Sequence, residues 1–336
     1  MRYFIVILIL GAGQIGFGQQ VKNLVFEGAG MRGLAYVGVV EELESADVLA
    51  DVEKVGGTSA GAIIALLIAL DYSSDEILEL LSATEFQSFN DGHFGAVRRI
   101  KNKFGWYKGE AFTKWLEDVI ATKTGNPEIT FSDLKKQGCK DLYAVSTCVN
   151  QQKLLVLSYE TYPEMKVKDA VRASMSIPLY FEAVFVDNSG KRYQNYHEGL
   201  DILVDGGIMG NYPIFLFDSV YYQGARKHRI ADQNTLGFRI DSREQILQDS
   251  VTRKIAPQKI DSFKDYIGAL YNYTMESANR NQLTEADWDR TISISSEGIG
   301  PVIRKFSEEE KQLLVASGKR SVSHYFDKVQ LTARKK

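Results

Sequence analysis

Ser59 sits at the centre of Gly57-Thr58-Ser59-Ala60-Gly61, a G-x-S-x-G pentapeptide between a short apolar run and a long one. A serine nucleophile needs that setting. It requires a sharp strand-to-helix turn that exposes the hydroxyl, and Gly57 and Gly61 let the neighbouring backbone pass close. Ala62 to Leu70 reads as a buried helix, so its free N–H groups and positive dipole end are expected to point at the serine. A second glycine-bearing turn runs from Gly28 to Gly33, between a strand-like and a helix-like segment. Its backbone N–H groups, at Gly28, Gly30, Met31, Arg32 and Gly33, are the candidate donors for the oxyanion of a tetrahedral intermediate. Arg32 adds a positive charge suited to an anionic head group.

The third motif is Asp205-Gly206-Gly207, after the apolar run Ile202-Leu203-Val204. It places a carboxylate on a tight turn at a strand end, where α/β sites form. Asp205 is the candidate general base. An aspartate of ordinary pKa is a weak base for a serine. It suffices where an oxyanion hole stabilises the developing charge and the same carboxyl then protonates an alkoxide leaving group. A Ser-His-Asp arrangement needs a histidine instead. The four histidines, His93, His197, His228 and His324, lie outside the glycine-bearing turns, and His228 sits in a charged run. Each motif alone has a plainer reading, as a packing turn, an ordinary Asp-Gly turn or a phosphate-binding helix start. The three in this order, each beside a strand-like run, favour acyl transfer.

These groups must be carried by elements that present strand ends to one another. Asn23 to Glu27, Val52 to Val55, Leu142 to Val149, Leu154 to Ser158, Leu236 to Ile240 and Thr291 to Ser295 read as strands. Leu34 to Leu43, Glu110 to Ile120 and Phe263 to Asn281 read as helices. The alternation predicts an α/β fold with a largely parallel sheet covered on both faces. The chain has 336 residues, 44% hydrophobic and 25% charged, with a net charge of -3. That is room for one large α/β domain, without an overall nucleic-acid signature. No metal or cofactor is called for by these motifs.

Met1-Arg2 followed by the apolar Tyr3 to Leu10 and by Gly16-Phe17-Gly18 reads as a secretory signal peptide of residues 1–18. The expectation is therefore export, to the periplasm or beyond, of a single domain spanning 19–336 (core about 22–240, extension 241–336). Gly11 to Gly16 also spells G-x-G-x-x-G. However, the next strand-like run starts too soon for a dinucleotide-binding crossover. Cys139 and Cys148 flank a strand-like segment that holds them roughly 25–30 Å apart, so two free thiols are expected.

At these residues the chain resembles the patatin-like phospholipase family of acyl hydrolases. The resemblance rests on Gly28 to Gly33, Gly57 to Gly61 and Asp205 to Gly207. Arg172-Ala173-Ser174-Met175-Ser176-Ile177-Pro178 and Leu200 to Pro213, with its Asn-x-Pro, extend it. Glu27 departs from the residue many members carry before the first glycine. The resemblance implies a three-layer α/β/α fold with a mostly parallel central sheet. It implies a Ser59–Asp205 dyad without a catalytic histidine, and metal-free hydrolysis of fatty-acyl esters of the phospholipase A or lysophospholipase type. A Ser-His-Asp esterase and a non-catalytic lipid-binding module are the alternatives. Arg98, Arg99, Lys101, Lys103 and Lys108 interleave with Phe104, Trp106 and Tyr107, which suits transient contact with an anionic membrane surface. Ser174 to Pro178 and the following Leu179-Tyr180-Phe181 form a candidate acyl-site segment.

Overall fold

The structure, a computed structural model, describes residues 20–333 apart from 93, 225 and 302. The leader-like run, the Gly11 to Gly16 fingerprint and His93 lie outside the described residues. Nine strands form one mixed sheet: β1 (Asn23–Phe26), β2 (Lys54–Thr58), β3 (Asp141–Cys148), β4 (Lys153–Leu157), β5 (Val184–Val186), β6 (Arg192–Tyr193), β7 (Asp201–Asp205), β8 (Thr235–Asp241) and β9 (Thr291–Ser295). Their order is β9-β8-β1-β2-β3-β7-β5-β6, with β4 paired to β3 off that path. The first five positions are parallel, as the strand–helix alternation predicts. The other pairings are antiparallel. The polar turn between β3 and β4 is too short for a parallel crossover and allows only a hairpin.

Among the helices are α1 (Ala35–Ser45), α2 (Ala60–Ala69), α3 (Ala96–Lys103), α4 (Glu110–Thr124), α5 (Val167–Ser174), α6 (Phe263–Arg280) and α7 (Glu308–Ala333). The fold is the three-layer α/β/α arrangement. Period-two side-chain alternation on β1 shows both covered faces. Leu24 and Phe26 enter the main core, whereas Val25 enters a smaller cluster with Tyr212 and Ile214. From Gly61 to Ala69 every residue of α2 is buried, the mark of a helix enclosed on all sides. α7 reaches the same core through Leu314, Val322 and Phe326.

The pairing register positions the chemistry. β4 occupies one edge of β3 along Ala144–Cys148. The opposite edge is shared by two strands running in opposite directions. β2 pairs along Asp141–Val145, and β7 pairs along Ser146–Cys148. Thr58 therefore faces Val145 while Asp205 faces Ser146, the next residue. The carboxyl ends of β2 and β7 meet tip to tip, which brings Ser59 and Asp205 side by side.

Candidate active site

Ser59 is the N-cap of α2, with φ 54° and ψ −121°. A serine gains nothing locally from that backbone region, and the strain is on the order of 1–3 kcal/mol. The surrounding glycines make it attainable. A Cβ on Gly61 would lie 2.3 Å from the Phe26 carbonyl oxygen, and one on Gly57 would lie 2.5 Å from the Gly61 carbonyl carbon. The elbow is pinned from outside too. The Ser59 N–H donates to Ser174 Oγ at 3.0 Å, and that hydroxyl donates to the Val145 carbonyl at 2.6 Å.

Asp205 is held as firmly. Its N–H donates to the Ser176 carbonyl at 2.8 Å, and its Oδ1 accepts the Gly207 N–H at 2.8 Å. The Ser59 side chain lies close enough to the same carboxyl to draw its pKa down. Both residues are only 7% exposed. Burial pushes the Asp205 pKa up to about 6, against the downward pull of the Gly207 N–H and the Ser59 hydroxyl. A carboxylate poised close to neutral pH is a much better proton acceptor than one of ordinary pKa. The described histidines are elsewhere. His197 and His324 are exposed, and His228 stacks on Tyr221 at 4.9 Å. None of these three lines the cavity onto which Ser59 opens.

The Gly28 to Gly33 turn follows β1 and so lies next to the elbow, since Phe26 pairs with Gly57. It contains a short 3-10 turn over Gly30–Leu34. Its amides are less open than the sequence suggests. The Gly28 N–H donates to the Asn211 carbonyl at 2.9 Å, and the Met31 N–H donates to the Pro301 carbonyl at 3.3 Å. Arg32 does not reach the cavity; its Nε turns back to the Ala29 carbonyl at 3.1 Å. The Gly28 amide is thus engaged in holding the turn, and the Met31 amide faces a carbonyl in this conformation. The Gly30 N–H has no hydrogen-bond partner among the described residues. Gly30, Met31 and Gly33 line the cavity with Ser59 and Ala60. Gly30 has φ +55°, and a Cβ there would lie 2.5 Å from the Pro301 oxygen. Glu27 points behind the turn. It accepts the Ile240 N–H at 3.1 Å and lies 3.3 Å from Arg239, while burial raises its carboxyl pKa.

Several supporting residues carry no motif of their own. Asn211 clamps Gly28 from both sides. Its carbonyl accepts the Gly28 N–H, and its Nδ2 donates to the Gly28 carbonyl at 3.0 Å. Asn279, on α6, accepts the Asn211 N–H through Oδ1 and donates from Nδ2 to the Gly207 carbonyl at 3.1 Å. Two carboxamides therefore link the glycine-rich turn to the aspartate turn. The Arg172 to Pro178 stretch links the aspartate to the serine. Besides Ser174 and Ser176, the buried Arg172 donates to the Gly109 and Lys108 carbonyls at 3.2 and 2.8 Å and to Ser176 Oγ. Asn211 lies in the Asn-x-Pro noted in the sequence; Asn279 had no signal beyond being a polar residue on an amphipathic helix.

The cavity beside Ser59 measures about 440 Å³. Ile63, Ile64, Leu81, Phe86 and Phe89 line it from the body of the fold, and Met175 and Ile177 from the segment after α5. Pro301, Ile303 and Phe306, between β9 and α7, close it from the other side, with Arg304, Lys305 and Lys311 among the polar lining. An apolar space with a few convergent polar groups is the usual form of a site for an apolar ligand. Cys139 is half-buried and Cys148 buried, and both are free.

Comparison with known proteins places the chain in a family. The chain is 27% identical over 312 residues to an uncharacterized protein, R571, of Acanthamoeba polyphaga mimivirus, covering 92% of this chain and 95% of that one. It is 26% identical over 216 residues to the probable lipid hydrolase 463L of Invertebrate iridescent virus 6, covering 63% and 67%. Its fold is similar to the crystal structure of VipD from Legionella pneumophila, with a TM-score of 0.59 at 14% identity, over 92% of this chain and 67% of that one. A model of the patatin-like phospholipase family matches residues 24–218, more than half of the sequence and a span that holds Ser59, Asp205 and the glycine-rich turn. The chain belongs to the patatin-like phospholipase family.

Proposed function

We propose that the protein is a lipid acyl hydrolase working through Ser59 and Asp205 and an acyl-serine intermediate, on substrates of the phospholipase A or lysophospholipase type. Family membership supports hydrolysis of lipid esters. The observation that carries the finer reading is the side-by-side placement of a buried, strained serine and a buried carboxyl with its pKa near 6, opening onto an apolar cavity.

In this reading the acyl chain lies among Ile63, Ile64, Phe86 and Phe306, and the ester carbonyl lies against Ser59. Asp205 takes the hydroxyl proton as Ser59 Oγ attacks the carbonyl carbon. The Gly30 N–H and the Ala60 N–H, both on residues lining the cavity beside Ser59, serve as the oxyanion donors in this reading. A helix N-terminus leaves its first amides unpaired. Asp205 then gives the proton to the departing alkoxide. In the second half it draws a proton from water as the water oxygen attacks the acyl-serine; the bond to Ser59 Oγ breaks, fatty acid leaves, and Asp205 returns the proton to Oγ. The leader-like Tyr3 to Leu10 run supports export of the mature chain; an N-terminus that begins near Gln19 after production in cells is the expected finding, and retention of Met1 speaks against it.

Mass spectrometry of the products released from a mixed phospholipid extract tests the whole reading. The wild-type protein should yield free fatty acid and lyso-lipid, and Ser59→Ala should yield neither. Equal release by both proteins would refute it.

A further inference from the structure

α3 carries its polarity inside out. Its buried residues are Ala96 and Arg99, while Val97 is 77% exposed. Phe94, just before it, is 97% exposed. Trp106 and Leu179 continue the exposed apolar surface from two short paired strands, Gly105–Tyr107 and Leu179–Phe181. Two charges of α3 turn toward the body. Arg99 donates to the Phe94 and Trp106 carbonyls at 2.6 and 2.8 Å and lies 3.6 Å from Glu182, and Lys103 lies 3.3 Å from the same carboxylate. This buried polar cluster fixes the helix to the body and leaves its apolar side chains in water. Leu179 has φ +66°, a left-handed backbone that disfavours a branched side chain, and the side chain it holds out is 68% exposed.

The sequence marked the cations and aromatics of this segment. The structure adds Phe94, Val97 and Leu179, and sorts the cations into two groups. Arg99 and Lys103 are internal, whereas Arg98, Lys101 and Lys108 are exposed, and these three make no ion pair among the described residues. The patch adjoins the cavity at two places. Ile177, two residues before Leu179, lines it, and Tyr180 bonds to Asn90 at 2.8 Å, beside the lining residue Phe89.

We propose that this face docks the protein on a bilayer that carries anionic lipid, setting the cavity mouth against the membrane. Exposed apolar side chains rimmed by unpaired cations suit that occupant, because the apolar groups enter the acyl boundary while the cations meet head groups. A second copy of the chain fits less well. A two-fold contact would set Arg98, Lys101 and Lys108 against the same cations. The inference rests on the lipid-hydrolase reading for its purpose, but docking itself is measured without turnover.

The test is co-sedimentation of the full chain, carrying Ser59→Ala so that lipid is not consumed. Vesicles of phosphatidylcholine alone are compared with phosphatidylcholine containing phosphatidylglycerol. Binding should favour the anionic vesicles and weaken with added salt. Neutralising Arg98, Lys101 and Lys108 together should weaken it about a hundredfold, at roughly fivefold per cation. Phe94→Asp with Val97→Asp should weaken it as well. Both sets, placed on the Ser59 protein, should hydrolyse a soluble short-chain ester as the parent does. Unchanged vesicle binding in either set, equal binding to both vesicle types, or loss of soluble-ester turnover along with binding would each overturn the proposal. So would a fall in oligomeric size with vesicle affinity unaltered, since that assigns the face to a second copy. A parent protein that binds anionic vesicles but hydrolyses neither lipid nor soluble ester would defeat the hydrolase reading and leave docking standing.

Discussion

The stretch up to about residue 218 and the stretch after it contribute to one site in different ways. The first holds every group assigned to the reaction: Ser59, Asp205 and the glycine-rich turn. The second holds none of them, yet it touches the glycine-rich turn and the aspartate turn and helps line the cavity beside Ser59. Asn279 bonds to the aspartate turn and to Asn211, the Pro301 carbonyl meets the Met31 amide, and Ile303 and Phe306 close the acyl cavity. The groups proposed to react sit on short turns between strands and helices, where a rigid sheet can hold backbone strain and tolerate glycines. The later stretch fixes how those turns stand relative to one another. Chemistry and its alignment thus reside in different parts of the chain, and they should fail differently when altered.

The largest effect should fall on the first stretch. Ser59→Ala is expected to lower kcat by a factor on the order of 10⁴ or more, because the covalent route is removed. Asp205→Asn should cost about 10²–10⁴, the range of a positioned general base. It should also raise Tm, since a carboxyl whose folded pKa is lifted to about 6 favours its protonated form. The sign follows from linkage. With an unfolded value near 3.8, the ionised group removes stability progressively as pH rises through about 4 to 6. The Tm gain of Asp205→Asn should therefore be full above about pH 6 and vanish below about pH 4. Thermal scans at both ends check it.

Asn279→Ala sharpens the comparison from the other side. As a positioning residue, Asn279 should affect alignment and not chemistry or binding. About ten- to hundredfold is expected in kcat, with KM for a soluble ester nearly unchanged. The acid limb of the rate profile should also move. For the wild type, activity falls as pH drops through about 6, where Asp205 becomes protonated. Loosening the Gly207 turn weakens the N–H that stabilises the carboxylate, so the limb should shift to higher pH in the variant. A loss of stability with an unmoved limb would reduce Asn279 to a structural residue. The smallest effect belongs to the roof. Ile303→Trp should lower turnover of long acyl esters about tenfold while sparing short ones, measured as a ratio of kcat/KM values.

Legibility in the sequence divides along the same line. The G-x-S-x-G turn is readable because its neighbours are constrained by contact, with Gly61 lying against the Phe26 carbonyl. β1, β3 and β8 are readable because buried strands of a parallel sheet appear as largely apolar runs, and β9, at the sheet edge, by its period-two alternation. The tip-to-tip approach of β2 and β7 along one edge of β3 was not readable. Strand register between distant segments leaves no local pattern, so nothing near Asp205 announces which strand it will face. The short strands Val184–Val186 and Arg192–Tyr193 were missed for the same reason. The oxyanion turn was legible as a motif but not in its bonding. Only the fold shows that the Gly28 amide is taken by Asn211 and the Met31 amide by the distant Pro301 carbonyl. Asn279 and Pro301 act through a carboxamide and a backbone oxygen, groups that occur all along any chain.

The central claim is that Ser59 and Asp205 act as a pair through a covalent acyl-serine. Acid quench of the protein during turnover of a long-chain acyl ester, followed by peptide mass spectrometry, tests it directly. The account predicts an acyl mass on the peptide that contains Ser59, absent in Ser59→Ala and reduced to trace in Asp205→Asn. Fatty acid release at the wild-type rate from Ser59→Ala, or an acyl mass carried by another residue, would contradict it.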